Sequence, residues 1–158
     1  MHGGARLSRR STLLTAATLG VAAVVLSACS SDAVEVAVPS AGTEPACASA
    51  TLLWPSTVSG MTRRPTDPDS PGVRAWGDPA VIARCGVAAL GPTETECLEV
   101  DGVGWIPQSL SDGTRFTSFG TDPAVEVLVP KTYAPEPLLL PVFSPVAKAL
   151  PANGLACR

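Results

Sequence analysis

The sequence predicts an α+β fold in which β-structure dominates: a small antiparallel β-meander with short C-terminal helical segments, braced by disulfides. Three observations carry this prediction. Short runs of alternating apolar and polar residues are separated by turn signals, the last 26 residues contain five prolines, and four cysteines follow residue 46. Short alternating strands with frequent turns are typical of antiparallel sheets, and prolines limit the tail to short helical pieces.

The first 28 residues have the pattern of an export signal. Arg6, Arg9 and Arg10 precede the apolar run 13–26, and small residues follow it. A basic head, a short apolar middle and small residues at the end are typical of a secretory signal peptide. The run is also shorter than the roughly 20 apolar residues that a membrane span needs. We therefore expect residues 1–28 to be removed on export.

The sequence Leu26-Ser27-Ala28-Cys29 resembles the bacterial lipobox, in which the cysteine receives lipid and becomes the new N-terminus. Cys29 is therefore the predicted lipidation site, which indicates an exported protein anchored on the outer face of the cytoplasmic membrane. Arg9-Arg10 resembles part of a twin-arginine export signal, but ordinary basic charge explains the pair as well. The export route stays open.

Cleavage before Cys29 would change the charge of the chain. It removes three of the eleven basic residues, so that eight face fourteen acidic residues and the net charge goes from −3 to −6. It also removes His2, the single histidine. An acidic chain argues against nucleic acid as a partner, because nucleic-acid binding needs clustered Lys and Arg. We expect contact with the membrane through the N-terminal lipid instead.

Residues 29–46 are predicted to form the lipidated cysteine and a flexible tether, and residues 47–158 a single globular domain. The tether is small, polar and contains proline, whereas the domain holds Cys47, Cys85, Cys97 and Cys157. An even number of cysteines in an exported protein indicates two disulfides. Of the three possible connectivities we favour Cys85–Cys97, which closes a short loop, and Cys47–Cys157, which joins the ends of the domain. A four-cysteine zinc site would need closer ligand spacing, so we expect no metal.

The strands follow from turns and alternation. Residues 80–85 end at Gly86, and residues 96–100 and 103–106 flank Asp101-Gly102, a strong signal for a type I′ hairpin. That turn places Val100 opposite Val103 and Leu98 opposite Trp105, with Glu99 and Gly104 on the other face. Further strands are predicted at residues 114–119 and 125–129. In the latter, three valines share one face and Glu126 lies on the other.

One helix is predicted in the proline-rich tail. Residues 144–150 begin with Ser144 at the N-cap and Pro145 at the first helical position. Residues 138–140 are expected to form either a turn or a buried segment.

Several motifs follow one another in an order typical of a known family. After the lipobox come Arg63-Arg64-Pro65, the sequence AWGDP at residues 75–79 and the sequence RCGV at 84–87, followed by a cysteine and the VDGV hairpin. This set resembles a family of small exported actinobacterial lipoproteins that is defined only by a domain of unknown function. The resemblance covers residues 47 to about 150. It implies localisation and a consistent fold, but no activity.

The mature sequence offers little catalytic chemistry. Without histidine, the Ser-His-Asp and Cys-His arrangements and histidine metal ligands are excluded. Glu94, Glu96, Glu99 and Asp101 could form an acid pair for glycoside hydrolysis, although charges on alternate strand positions usually face water. We expect a solvated hairpin rim, and no cofactor.

Residues 67–78 match part of a calcium-loop template, with Asp67, Asp69, Gly72 and Asp78 at positions one, three, six and twelve. However, Pro71 replaces the ligand at position five, so we do not expect calcium.

A ligand or partner surface is predicted at Arg63, Arg64, Trp76 and Asp78. Two arginines can clamp a carboxylate or phosphate, and tryptophan can stack on a sugar. The alternatives are solvated arginines and a tryptophan buried in the core.

The favoured function is a non-catalytic, lipid-anchored envelope protein that binds a partner protein or a wall component. The alternatives are a carboxylate-based hydrolase of envelope glycans and a lipoprotein that binds a small ligand. Whether the chain is an enzyme stays open, although the missing histidine argues against it.

Overall fold

In the computed structural model, Met1 and residues 33–158 are described; the rest of the predicted export signal, and Cys29, lie outside these residues. The ten strands of the described part are β1 Val34–Glu35, β2 Thr57–Val58, β3 Met61–Arg64, β4 Thr66–Asp67, β5 Val73–Trp76, β6 Val81–Val87, β7 Leu98–Val100, β8 Val103–Ser109, β9 Gly113–Phe119 and β10 Ala124–Pro130. The helical segments are α1 Pro45–Ala50, α2 Ser144–Lys148 and three 3₁₀ helices at Thr51–Leu53, Lys131–Tyr133 and Glu136–Phe143.

Eight strands form one sheet in the order β2-β3-β5-β6-β10-β9-β8-β7, and every neighbouring pair is antiparallel. The sheet consists of two meanders that meet where β10 pairs with β6. β1 and β4 form a separate, parallel two-stranded ladder. The predicted β-dominant α+β class is therefore confirmed.

One face of the sheet, called here the core face, is covered by the helical segments. Trp76, Phe116 and Val127 lie on this face and pack in one cluster with Leu140 and Phe143 of the C-terminal 3₁₀ helix. The opposite face is called the outer face. Because successive strand residues point to opposite faces, each core-face valine of β10 alternates with a residue of the outer face.

The predicted hairpin is confirmed in register. Leu98 lies opposite Trp105, Glu99 opposite Gly104 and Val100 opposite Val103. Asp101 and Gly102 both have positive φ, 50° and 72°, as a type I′ turn requires. This register follows from the turn residues alone, since a two-residue loop fixes the pairing of the strands on either side.

The predicted disulfide pairing is wrong. Cys47 of α1 pairs with Cys85 of β6, and Cys97 pairs with Cys157, with Cα–Cα distances of 5.7 and 5.6 Å. The reason is the strand order: β6 and β7 are separated by three intervening strands, which places them about 19 Å apart at 4.8 Å per strand. The short loop between Cys85 and Cys97 therefore crosses the sheet, and these two cysteines are out of disulfide range.

The predicted tether differs from the structure over residues 34–46. The Val34 and Val36 amides donate to the carbonyls of Pro65 and Asp67, and the Ala41 amide donates to Gly86. α1 then begins at Pro45. This segment is attached to the domain because its backbone pairs with β4 and with the end of β6, which its small polar composition did not reveal.

The N-terminal strands β1 to β5 were not predicted. They are two to four residues long, and β3 consists of Met61, Thr62, Arg63 and Arg64, which carry no strong apolar alternation. Such short strands are specified by their neighbours in the sheet rather than by their own sequence.

The predicted tail helix is confirmed at Ser144–Lys148, and residues 138–140 lie in the 3₁₀ helix Glu136–Phe143 with Leu139 and Leu140 buried. Ser144 does not cap the helix as predicted, because its hydroxyl donates to the Val100 carbonyl at 3.5 Å. Within the described residues, no helix has the length and apolar character needed to cross a bilayer.

Candidate functional site

Trp76, the aromatic member of the predicted ligand surface, lies in the core. Its side chain is fully buried, and the ring meets Trp54 and Phe143 edge-on at centroid distances of 6.3 and 5.5 Å. Its indole nitrogen donates to the Pro55 carbonyl at 3.2 Å. Trp76 therefore packs the sheet against the helical layer and is not available to stack on a ligand.

Arg63 binds the backbone of its own domain. Its Nε donates to the Pro55 carbonyl at 3.0 Å and its Nη2 to the Trp54 carbonyl at 2.8 Å. These two bonds hold the segment that follows the 3₁₀ helix Thr51–Leu53 against β3. The guanidinium thereby satisfies two backbone carbonyls of this loop.

Arg64 and Asp78, two further members of the predicted ligand surface, lie next to each other. The Arg64 Nη1 atom is 3.5 Å from the Asp78 carboxylate and donates to the Gly77 carbonyl at 3.3 Å. The Asp78 side chain is 89% exposed, so the pair is well solvated. An exposed ion pair of this kind contributes at most about 1 kcal/mol. The structure thus brings two of the four predicted residues together on the surface.

A charged cluster on the outer face was not predicted. Glu126 of β10 lies on the face opposite the valines, as predicted, but its side chain is only 4% exposed. Its Oε1 atom accepts bonds from both Nε and Nη2 of Arg84, and its Oε2 atom is 3.6 Å from Nε of Arg115. Arg84 also donates to the Ala37 carbonyl at 3.3 Å, which ties the N-terminal segment to the cluster.

The sheet register explains the cluster. Arg84 is the cross-strand neighbour of Glu126 on β6. On β9 the cross-strand neighbour is Thr117, and Arg115, two residues before it, lies diagonally across from Glu126. The sequence shows a glutamate between two valines, which marks an unusual strand position. It does not show which residues neutralise the glutamate, because that depends on which strands are neighbours in the sheet. The two arginines neutralise the buried carboxylate and leave one net positive charge.

One surface groove lies beside the half-exposed Cys97–Cys157 disulfide. It encloses about 600 Å³ between residues 92–97, Phe119 and residues 154–158. Glu94 and Glu96 line this groove, whereas Glu99 and Asp101 belong to the hairpin and do not. The four carboxylates considered for glycoside hydrolysis are therefore divided between two places.

Two acids of the partial calcium template have different surroundings. Asp67 lies on β4, whereas Asp78 pairs with Arg64. Among residues 33–158, no three His, Cys, Asp or Glu side chains come close enough together to hold a metal ion.

Ser118 and Thr121 show how the buried hydroxyls are used. Their hydroxyls are 2.9 Å apart, and the Ser118 oxygen accepts the Val125 amide where β10 begins. This arrangement satisfies a backbone donor at a strand irregularity rather than activating a nucleophile.

Comparisons with known proteins agree with this picture of a domain without assigned chemistry. Residues 10–155 match the family model described as a protein of unknown function, DUF3515. No curated protein matches the chain, and no solved structure matches it. Since the family model covers nearly the whole sequence, the chain belongs to the DUF3515 family of proteins of unknown function.

Proposed function

We propose that the protein is an exported lipoprotein, anchored through lipid on Cys29 to the outer face of the cytoplasmic membrane. Its domain is a non-catalytic module that binds a partner protein or a wall component. In this proposal residues 1–28 are a signal peptide, and the family consists of envelope lipoproteins of the actinobacterial type that the motifs resemble.

The pairing of the cysteines is the observation that carries the proposal. All four cysteines of the described residues form two disulfides, and Cys47 and Cys85 are fully buried in the core. Disulfides form and persist outside the reducing cytosol. An export signal would supply that compartment, and it ends next to the fifth cysteine, Cys29, within a lipobox-like sequence.

A binding role fits the way the charged side chains are used. Arg63 braces a loop, and Arg84 and Arg115 neutralise Glu126. A disulfide-braced sheet held by such contacts is a rigid platform, and rigid platforms suit recognition because little conformational entropy is lost on binding.

Lipidation is tested with Cys29→Ala expressed in the native host, with Ser30→Ala as the matched control. The wild-type chain and Ser30→Ala should sediment with membranes, and their N-terminal peptide should carry the mass of an acyl-modified cysteine. Cys29→Ala should lack that modification and leave the membrane fraction. Retention of Cys29→Ala in membranes, or an unmodified cysteine in the wild-type chain, would contradict the proposal.

The binding role is tested by crosslinking in intact cells. Lys131 and Lys148 are the only lysines of the sequence and both are exposed, so an amine-reactive crosslinker has two known side-chain attachment points in the domain. We expect a specific partner that is recovered with the wild-type chain and lost with Lys131→Arg/Lys148→Arg. Recovery of the monomer alone, in cells where other envelope proteins crosslink, counts against a binding role.

A further inference from the structure

The groove beside the Cys97–Cys157 disulfide is built from two segments that this bond joins. One wall consists of residues 92–97, the other of residues 154–158, and Phe119 of β9 lies between them in the lining. We call this site the disulfide groove. Each wall carries one cysteine of the pair, and both cysteines are half-exposed. The bond therefore lies within reach of a molecule that enters the groove.

The two walls have few other attachments. Residues 92–96 are all exposed, and their hydrogen bonds are those between Thr93 and Thr95. In the opposite wall, the Leu155 amide binds the Asn153 side chain of its own segment. Among the residues that the structure describes, no hydrogen bond or ion pair joins one wall to the other. The disulfide is therefore the bond that holds the groove closed.

The chain next to each wall is held independently of the disulfide. The Asn153 amide donates to the Gly120 carbonyl at 3.0 Å, and Thr121 pairs with Ala152. After the other wall, β7 pairs with β8 over three residues. Breaking the disulfide should thus release the two walls and leave the sheet intact.

The two sulfur atoms of the bond have different surroundings. A Cβ atom on Gly104 would lie 2.9 Å from the Cys157 Sγ atom and 3.3 Å from the Cys97 Sγ atom, so the Cys157 sulfur is nearer to the sheet. Arg158 follows Cys157, Glu96 precedes Cys97, and all four residues line the groove. A guanidinium stabilises a departing thiolate, whereas a carboxylate opposes it. Cys157 is therefore the better leaving group, and Cys97 is the sulfur that a thiolate attacks.

The size and charge of the groove favour one kind of thiol. Its volume of about 600 Å³ is enough for a protein loop with several side chains. Glu94 and Glu96 repel a small anionic thiol such as glutathione, but they do not repel a neutral or basic protein surface. Accessible disulfides are also the ones that serve as labile or regulatory bonds.

We propose that the disulfide groove is a thiol-exchange site for a protein dithiol of the Cys-x-x-Cys class, and that exchange opens the groove. The first thiolate of the partner bonds to the Cys97 sulfur, the Cys97–Cys157 bond breaks, and Cys157 leaves as a thiolate that takes a proton from water. The second thiol of the partner loses its proton and attacks the mixed disulfide, which releases Cys97. The partner is oxidised to a disulfide, and its two electrons reduce the two cysteines to thiols.

The first test compares two reductants of the oxidised full chain, purified in detergent. Thioredoxin is the protein dithiol, and dithiothreitol is a small neutral dithiol that needs no docking. Alkylation and mass spectrometry should show Cys97–Cys157 reduced by thioredoxin about a hundredfold faster or more. Ala156→Trp, which fills the groove, should slow thioredoxin about tenfold but dithiothreitol less than about threefold. Ala149→Trp, at an exposed position outside the groove, is the matched control and should change neither rate.

The second test locates the exchange and its consequence. A thioredoxin whose second active-site cysteine is replaced by serine should stay bound to Cys97 as a mixed disulfide, which peptide mass spectrometry identifies. In the reduced chain, amide hydrogen exchange should rise in residues 92–96 and 154–158 and stay unchanged in β8 and β9. A mixed disulfide at Cys157, equal rates for the two reductants, or unchanged exchange in both walls would overturn the proposal.

Discussion

Glu126 lies between Val125 and Val127 on β10, yet its side chain is almost as buried as theirs. A buried carboxylate is strongly unfavourable unless charged donors surround it, and Arg84 and Arg115 supply them from β6 and β9. The three residues come from three strands, so the cluster also reports that these strands are correctly paired. This buried ion cluster therefore forms only when β6, β10 and β9 are neighbours in the sheet.

Replacing Glu126 tests the cluster. Glu126→Gln keeps the volume but leaves two arginines without their counter-charge, and we expect it to lower the free energy of unfolding by about 2 kcal/mol, with the partial exposure of both arginines limiting the loss. The matched control is Glu99→Gln, an exposed residue of the same sheet face, which should change stability by less than about 0.5 kcal/mol. Urea unfolding followed by tryptophan fluorescence measures both. Equal effects would show that the cluster does not stabilise the fold.

At the scale of elements, the N-terminal segment packs on the sheet through glycines. Gly42 lies against Gly72 and Gly86, and a Cβ atom on Gly86 would overlap the backbone of Ala41 and Gly42. Gly86 also has φ = +99°, a conformation that side chains with a Cβ atom rarely adopt. The RCGV motif thus includes a glycine whose role is close backbone approach at the end of β6.

Three glycine-to-alanine variants separate strain from overlap. Gly86→Ala introduces both an unfavourable positive φ and an overlap with the backbone of Ala41 and Gly42. It should lower the free energy of unfolding by about 3 kcal/mol. Gly102→Ala introduces only the unfavourable positive φ of the hairpin turn and should lower the free energy of unfolding by about 1 kcal/mol. Gly91 has open space around it and no positive φ, so Gly91→Ala should change the free energy of unfolding by less than about 0.5 kcal/mol. Chemical denaturation gives the three values. If Gly86→Ala costs no more than Gly102→Ala, the segment is not packed on β6.

At the scale of the whole molecule, the two disulfides differ in their surroundings. Cys47–Cys85 joins α1 to the core face of β6 and is fully buried. Cys97–Cys157 is half-exposed and holds the C-terminal tail, which is also attached through the pairing of Thr121 with Ala152. One disulfide therefore locks the two layers together, and the other closes the tail over the sheet.

Graded reduction should open the disulfides in sequence. A thiolate must reach a sulfur atom to break the bond, so a dithiol reductant should reduce Cys97–Cys157 at least tenfold faster than Cys47–Cys85. Alkylation followed by mass spectrometry identifies the freed cysteines, and circular dichroism should show that the sheet persists after the first step. Simultaneous labelling of all four cysteines, or loss of the sheet with the first pair, would contradict this order.

The sequence by itself determined the local features: the β-dominant class, the hairpin register from Val100 to Val103, and the short tail helix. These follow from turn residues and alternation, which act between neighbours in the chain. Only the tertiary structure decided that Cys85 pairs with Cys47, that Trp76 is buried and that Glu126 is enclosed by arginines. Each of these depends on which strands are neighbours in the sheet. A pairing between residues far apart in the chain is set by the packing of all the elements together, and no single stretch of sequence records it.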